Sequence, residues 1–254
     1  SDLEIYFNSE NAVSHCEIKN YLLEKVRVVK PNESERNFHI FYQLCIAASE
    51  NMREKLFLEK DPGMYEYLKM CTFVNGIDDV KNFQELEHAF NDLQFTNRER
   101  EGIYTCVSSI LAFGNLRFVA AGTSASKVSS NCKKYLQIGC NLLNIGSKQD
   151  VEKAFTTKLL KIRGQADTYT ALSPAQASAS RDALCKFLYG EMFDWIVKKI
   201  NRSMSNTSSS SSNNDNHTGS KNFIGILDIF GFEIFKENSF EQLCINFTNE
   251  MLQQ

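Results

Sequence analysis

Apolar residues recur at helical spacing through most of this chain, and the longer runs open on capping signals. Thr96-Asn97-Arg98-Glu99 has the form of a capping box, in which the Thr hydroxyl and Glu carboxylate satisfy amides that a first helical turn leaves free. Ile103, Cys106, Val107, Ile110 and Leu111 then follow on one face. Ser173-Pro174-Ala175-Gln176 is a second box, with Pro at the first helical position where its missing N–H costs nothing. From there Leu184, Leu188, Trp195, Ile196 and Ile200 predict a helix to about Asn201. A third box, Ser239-Phe240-Glu241-Gln242, precedes Leu243, Cys244, Phe247 and Met251. Shorter helical patterns cover about 36–49, 82–94, 132–144 and 150–161.

Strand signals are fewer. Leu3-Glu4-Ile5-Tyr6-Phe7 alternates, and Val26-Arg27-Val28-Val29 is β-branched. The continuous apolar run 223–227 predicts a strand buried on both faces, of the kind found in parallel or mixed sheets. The pattern as a whole predicts an α/β chain, predominantly helical, without internal repeats. Residues 203–220 hold eight Ser and four Asn, with Met204 the one large apolar side chain. Such a tract buries too little to offset the entropy of ordering it, which predicts a disordered loop and a subdomain boundary.

Composition narrows the function classes. With 43% apolar residues and nineteen Phe in 254 positions, there is ample material for a Phe-rich core. A net charge of −3 makes no electrostatic case for nucleic acid or an acidic membrane surface. The most apolar window, 223–232, is too short for a membrane span and carries Asp228, and the first residues lack the pattern of a signal peptide. The eight Cys include no C-x-x-C pair and none clusters with the four His, which predicts reduced, structural thiols of a cytoplasmic protein and no zinc framework. The chain starts on Ser1 and stops on Gln254 inside an unfinished helical pattern, so it is expected to be a piece of a longer protein.

The sharpest candidate for chemistry is Ile224-Gly225-Ile226-Leu227-Asp228-Ile229-Phe230-Gly231. An apolar strand ending in Asp, with Gly three residues on, has the form of a Walker B strand and its D-x-x-G turn. There the carboxylate orients water on Mg²⁺, and the glycine N–H can approach a γ-phosphate with no Cβ in the way. Glu233 adds a second carboxylate at the same edge. Asp and Gly are also ordinary turn residues, so a capped turn explains the same pattern. No G-x-x-x-x-G-K-S/T occurs; Gly122-Thr123-Ser124-Ala125-Ser126-Lys127 lacks the second Gly and reads as a surface turn. The four His are scattered, and His39 within Phe38-His39-Ile40-Phe41-Tyr42 is expected in the core.

At this point a family resemblance emerges. Asp228-Ile229-Phe230-Gly231-Phe232-Glu233, followed by Asn238-Ser239-Phe240-Glu241-Gln242-Leu243-Cys244-Ile245-Asn246-Phe247-Thr248-Asn249-Glu250, resembles switch II and the start of the relay helix of the myosin motor. Tyr21 to Val29 and Glu35 to Leu44 look like the myosin segments just after switch I. Ser109 to Phe118 is similar to the family's I-L-H-L-G-N run, with Ala112 and Phe113 in place of His-Leu, and Arg181 to Tyr189 to its R-D-A-L-A-K-x-x-Y helix. The matches run in order through nearly all of 3–254 outside the Ser-rich loop.

The resemblance implies a fragment of the P-loop-type motor fold. Residues 1–202 would be an upper actin-binding subdomain with strands of the central transducer sheet, 203–220 the loop, and 221–254 the switch II strand and start of the relay helix. It further implies ATP and Mg²⁺ as cofactors of the complete motor. Asp228 would stand behind a water on Mg²⁺, Gly231 would sense the γ-phosphate, Glu233 would pair with a switch I Arg, and Phe232 would pass the switch position on. Leu160 to Tyr169 would be a surface loop meeting actin through Arg163 and Asp167; an ungapped count from Asp182 lands on Ala166 instead. Partners would be actin filaments, with light chains or calmodulin only through a neck outside this chain, and the location the actin cytoskeleton. Without a P-loop or switch I, the fragment alone is expected to be inactive. Another P-loop nucleotidase, or a truncated non-enzymatic actin-binding or helical interaction module, is the alternative.

Overall fold

The protein was analysed as a computed structural model, which describes residues 2–20, 23–32, 35–160, 168–206, 222–228, 231–234 and 238–253. In chain order the elements are β1 (Asp2–Phe7), β2 (Val13–Lys19), α1 (His39–Ala47), α2 (Glu50–Leu56), α3 (Asp79–Asp92), α4 (Asn97–Gly114), β3 (Phe118–Ala120) and β4 (Ser126–Val128). They continue with α5 (Lys133–Leu143), α6 (Lys148–Thr156), β5 (Thr157–Leu160), β6 (Thr168–Ala171), α7 (Pro174–Asn206), β7 (Phe223–Leu227) and α8 (Phe240–Gln253). Two compact units result: one from residues 1–23 with 194–254, the other from 24–193. No helix among the described residues is long and apolar enough to cross a membrane.

The first unit is built on a three-stranded sheet in the order β2-β1-β7, with both pairings antiparallel. Strand alternation sorts its side chains. Leu3 and Ile5 share a face with Ile18, Cys16, Ile226 and Ile224, whereas Glu4 and Tyr6 share the other with Glu17 and His15. On that polar face Lys19 pairs with Glu4 at 2.7 Å, Tyr6 donates its hydroxyl to Glu4, and the Tyr6 and His15 rings stack with centroids 4.4 Å apart. The Asn201 amide closes the outer edge of β2: its Oδ1 accepts from Ile18 N at 2.8 Å and its Nδ2 donates to Ile18 O at 2.9 Å.

The expectation for 223–227 is corrected here. The segment is a strand, but an antiparallel one that pairs with β1 alone among the described strands, and all five of its residues are exposed. An apolar run reports what a strand could bury and says nothing of how many neighbours it has.

The second unit packs around α4. Val107, Ile110, Leu111 and Phe113 are inaccessible to solvent, as are Phe41, Tyr42, Leu44 and Cys45 of α1. The capping box of α4 forms as expected, with Glu99 N donating to Thr96 Oγ1 and Thr96 N to Glu99 Oε2. Gly139 lets α5 approach closely: a Cβ there would lie 2.3 Å from Cε1 of Phe113. Two short hairpins, β3–β4 and β5–β6, complete the unit. Residues 121–125 close the first, with Gly122 in a left-handed conformation, as the surface-turn reading expects.

Three local expectations fail for tertiary reasons. Residues 25–28 form a 3-10 turn rather than a strand, because Arg27 is drawn to Glu24 and Glu35, both at 2.7 Å, while Val28 is fully buried. The helical pattern at 150–161 stops at Thr156, where the Thr156 and Thr157 hydroxyls bond back to Glu152 O and Lys153 O and the chain turns into β5. His39 is exposed at the first position of α1, while Phe41, Tyr42, Leu44 and Cys45 make the buried stripe. α7 runs to Asn206, so 203–206 are helical; 207–221 lie outside the described residues.

All eight cysteines are free. Burial raises the thiols of Cys45 and Cys185 to about 12, so at pH 8 both stay protonated and unreactive. The half-buried Cys16, Cys71 and Cys244 are therefore expected to react first with an aromatic disulfide reagent. Cys45 and Cys185 should react last, and rapidly only once the protein is unfolded. Mass spectrometry of the labelled, digested protein reads the order; early labelling at Cys45 would contradict this packing.

Candidate functional site

β7 leads directly into the segment that carries the candidate chemistry. Its last residue, Leu227, stands opposite Asp2 on β1, so Asp228 follows immediately beyond the sheet and is exposed. Residues 229 and 230 lie outside the described residues. Gly231 is exposed, Phe232 is 65% and Ile234 80% exposed, and Glu233 between them is half-buried.

α8 holds this segment from one side. Its start is set by the third capping box: Ser239 N and Oγ both donate to Gln242 Oε1, at 2.7 and 2.6 Å. The helix is then two-faced. Phe240, Leu243, Phe247 and Met251 are exposed, while Gln242, Ile245 and Asn249 are buried with Asn246 half-buried beside them. Those four residues fall at i, i+3, i+4 and i+7, one stripe of the helix, and two of them grip the loop. Asn246 Oδ1 accepts from Glu233 N and its Nδ2 donates to Glu233 O, both at 2.8 Å. Asn249 Nδ2 donates to Gly231 O, also at 2.8 Å.

Of the sequence-derived candidates, Gly231 and Glu233 are thus brought together on α8, and Asp228 stands at the end of β7. Phe232 points no bulk into a core. Arg163 and Asp167, with Ala166, lie outside the described residues; β5 and β6 pair up to Leu160 opposite Thr168, the two ends that bracket them. Sequence reasoning missed Asn246 and Asn249 as partners. The available signal was two Asn, three apart, on the same helical stripe as Gln242 and Ile245.

The residues present suit part of a phosphate and Mg²⁺ site. Among the described residues a Cβ built on Gly231 finds no heavy atom within 4 Å, and Asp228 is exposed, within reach of a hydrated cation. Among the described residues no group of three or more His, Cys, Asp or Glu could hold a metal ion. A cation here would therefore meet Asp228 rather than a protein cage.

Comparison with known proteins identifies the family. The family model for the myosin head (motor domain) matches residues 2–254. The chain is 42% identical over 258 residues to Myosin-1 of Mycosarcoma maydis, covering 99% of the chain and 19% of that protein. It is 41% identical over 242 residues to Unconventional myosin-Ib of Homo sapiens, covering 93% of the chain and 20% of that protein. Myosin-I heavy chain of Dictyostelium discoideum is 41% identical over 260 residues, covering 99% of the chain and 10% of that protein. The chain spans a tenth to a fifth of these relatives' lengths.

Proposed function

The chain belongs to the myosin head (motor domain) family, and from that premise we propose that it is part of an actin-based motor that couples ATP hydrolysis to movement along filaments. In this reading residues 1–202 serve as the upper actin-binding subdomain with transducer strands, α7 ends at Asn206, 207–220 serve as a surface loop, and 221–254 as switch II and the start of the relay helix. The observation that carries the reading is the grip of α8 on the glycine loop. Asn249 holds the Gly231 carbonyl and Asn246 the Glu233 peptide, so a shift at Gly231 is felt by the helix that leaves the site.

ATP with Mg²⁺, held by the complete head, supplies the phosphoryl group and the charge to be neutralised. Asp228 orients water on the cation, Gly231 donates its N–H toward the terminal phosphate, and Glu233 pairs with an arginine from outside this chain. Phe232 moves with the loop. These are positioning and electrostatic tasks, the terms that dominate phosphoryl transfer. Arg163 and Asp167 are assigned to the actin-facing loop between β5 and β6, and the location to the cytoplasmic actin cytoskeleton. Light chains or calmodulin would bind a neck outside these residues.

The test compares residues 2–254 alone with a complete head that contains them. The head is expected to sediment with actin filaments, to be released by Mg·ATP, and to turn ATP over faster when filaments are present. The isolated chain, which has no G-x-x-x-x-G-K-S/T sequence, is expected to bind ATP at no micromolar stoichiometric site by calorimetry. A head whose turnover ignores actin would sink the proposal.

A further inference from the structure

Resting on the role just proposed for Glu233, we infer that Asn246 is a positioning residue for the Glu233 carboxylate, acting through both hydrogen bonds of a single amide. Asn246 Oδ1 accepts from Glu233 N and Nδ2 donates to Glu233 O, each at 2.8 Å, although the two residues are thirteen apart in sequence. The orientation of the amide is dictated by chemistry: a peptide N–H needs an acceptor and a peptide C=O a donor. One side chain thus does for Glu233 what a neighbouring strand would do, pinning the backbone at the residue that bears the carboxylate.

The residues that flank Glu233 face solvent. Phe232 and Ile234, on either side, are 65% and 80% exposed. The same device occurs elsewhere in this unit, where the Asn201 amide grips both peptide groups of Ile18. There the residue held is an apolar strand residue and the amide simply closes a sheet edge. At Glu233 the residue held carries a candidate reacting-site carboxylate, so the direction from which that carboxylate leaves the backbone is set by α8. The bond from Asn249 to Gly231 is separate, one turn further along the helix.

The grip needs one donor and one acceptor on adjacent atoms. An ionised carboxylate at position 246 offers two acceptors and faces the Glu233 carbonyl with like charge; a protonated one, with one C=O and one O–H, restores both bonds. This separates positioning from bulk. Asn246→Ala and Asn246→Asp would be placed in a complete head and compared with the parent and with Glu233→Ala. Readouts are fluorescent-nucleotide affinity and the quenched-flow phosphate burst, at several pH values. Asn246→Ala is expected to slow the burst by about tenfold to a hundredfold at every pH, the loss of two modest hydrogen bonds, with nucleotide affinity nearly unchanged. Asn246→Asp should be as slow at pH 8 and recover, relative to the parent at the same pH, as the medium is made acidic.

Parental bursts for both Asn246 variants alongside a slow Glu233→Ala would overturn this inference and leave the role of Glu233 standing. A parental burst for Glu233→Ala would remove that role and the inference with it. Should Asn246→Ala fail to fold, Asn246→Asp still decides: a folded variant with near-parental nucleotide affinity whose slow burst at pH 8 recovers in acid supports the inference, and a parental burst at pH 8 overturns it.

Discussion

Gly231→Ala is expected to leave a complete head folded and able to bind ATP while slowing hydrolysis by about two orders of magnitude or more, the scale of losing one well-placed backbone donor. Among the described residues an added Cβ at this position would meet no heavy atom within 4 Å. Gly139 and Gly114 differ, since a Cβ at either would come within 2.6 Å of a buried aromatic ring. A defect of Gly231→Ala in a folded head is therefore expected to come from what approaches the loop, a phosphate in the proposed reading. Thermal melting, nucleotide affinity and the quenched-flow burst separate the possibilities. An unchanged burst would count decisively against the assignment of Gly231, and unfolding of the variant would contradict the open space around it.

The second large effect concerns stability. Asp79→Ala should destabilise the protein by about 3–5 kcal/mol, because it strands a buried guanidinium. The Arg36 side chain is 4% exposed and that of Asp79 10%, and they meet at 2.8 Å through Nη2 and Oδ2. Arg36 lies 3.8 Å over the Tyr42 ring, while its Nε and Nη1 and the second Asp79 oxygen make no hydrogen bond. The pair thus has one good bond where a bidentate fork would have two, and removing the carboxylate leaves a desolvated charge with Tyr42 but no anion. Asp79→Asn, which keeps an acceptor, should lose less. Arg36→Met with Asp79→Ala should recover part of the loss by replacing buried charge with apolar volume. Urea unfolding of the three variants and the parent measures this. A loss below about 1 kcal/mol for Asp79→Ala would mean that water reaches Arg36.

The candidates could be named without coordinates: the strand-turn pattern picks out Asp228, Gly231 and Glu233, and the resemblance named the family whose model matches residues 2–254. The grip that ties them to α8 could not, since it joins Glu233 to Asn246 and Gly231 to Asn249 across separations of thirteen and eighteen residues. Asn on a helix is ordinarily read as a weak helix former, and only the loop opposite shows what it holds.

The same division runs through the fold. Helix starts at Thr96, Ser173 and Ser239 were settled by chemistry within one turn, where a hydroxyl or amide side chain and three backbone amides are neighbours whatever the rest of the chain does. Residues 25–28, the end of α6 at Thr156 and the single pairing of β7 were settled elsewhere: by Glu35 reaching Arg27, by the β6 strand waiting for β5, and by β1 being the one described strand beside 223–227. Propensity differences of a few tenths of a kcal/mol per residue cannot resist such contacts, because one buried side chain or a ladder of strand bonds outweighs them. Capping and periodicity are local and were legible; partners, edges and the hold on Glu233 depend on which distant residues the folded chain brings within 3 Å.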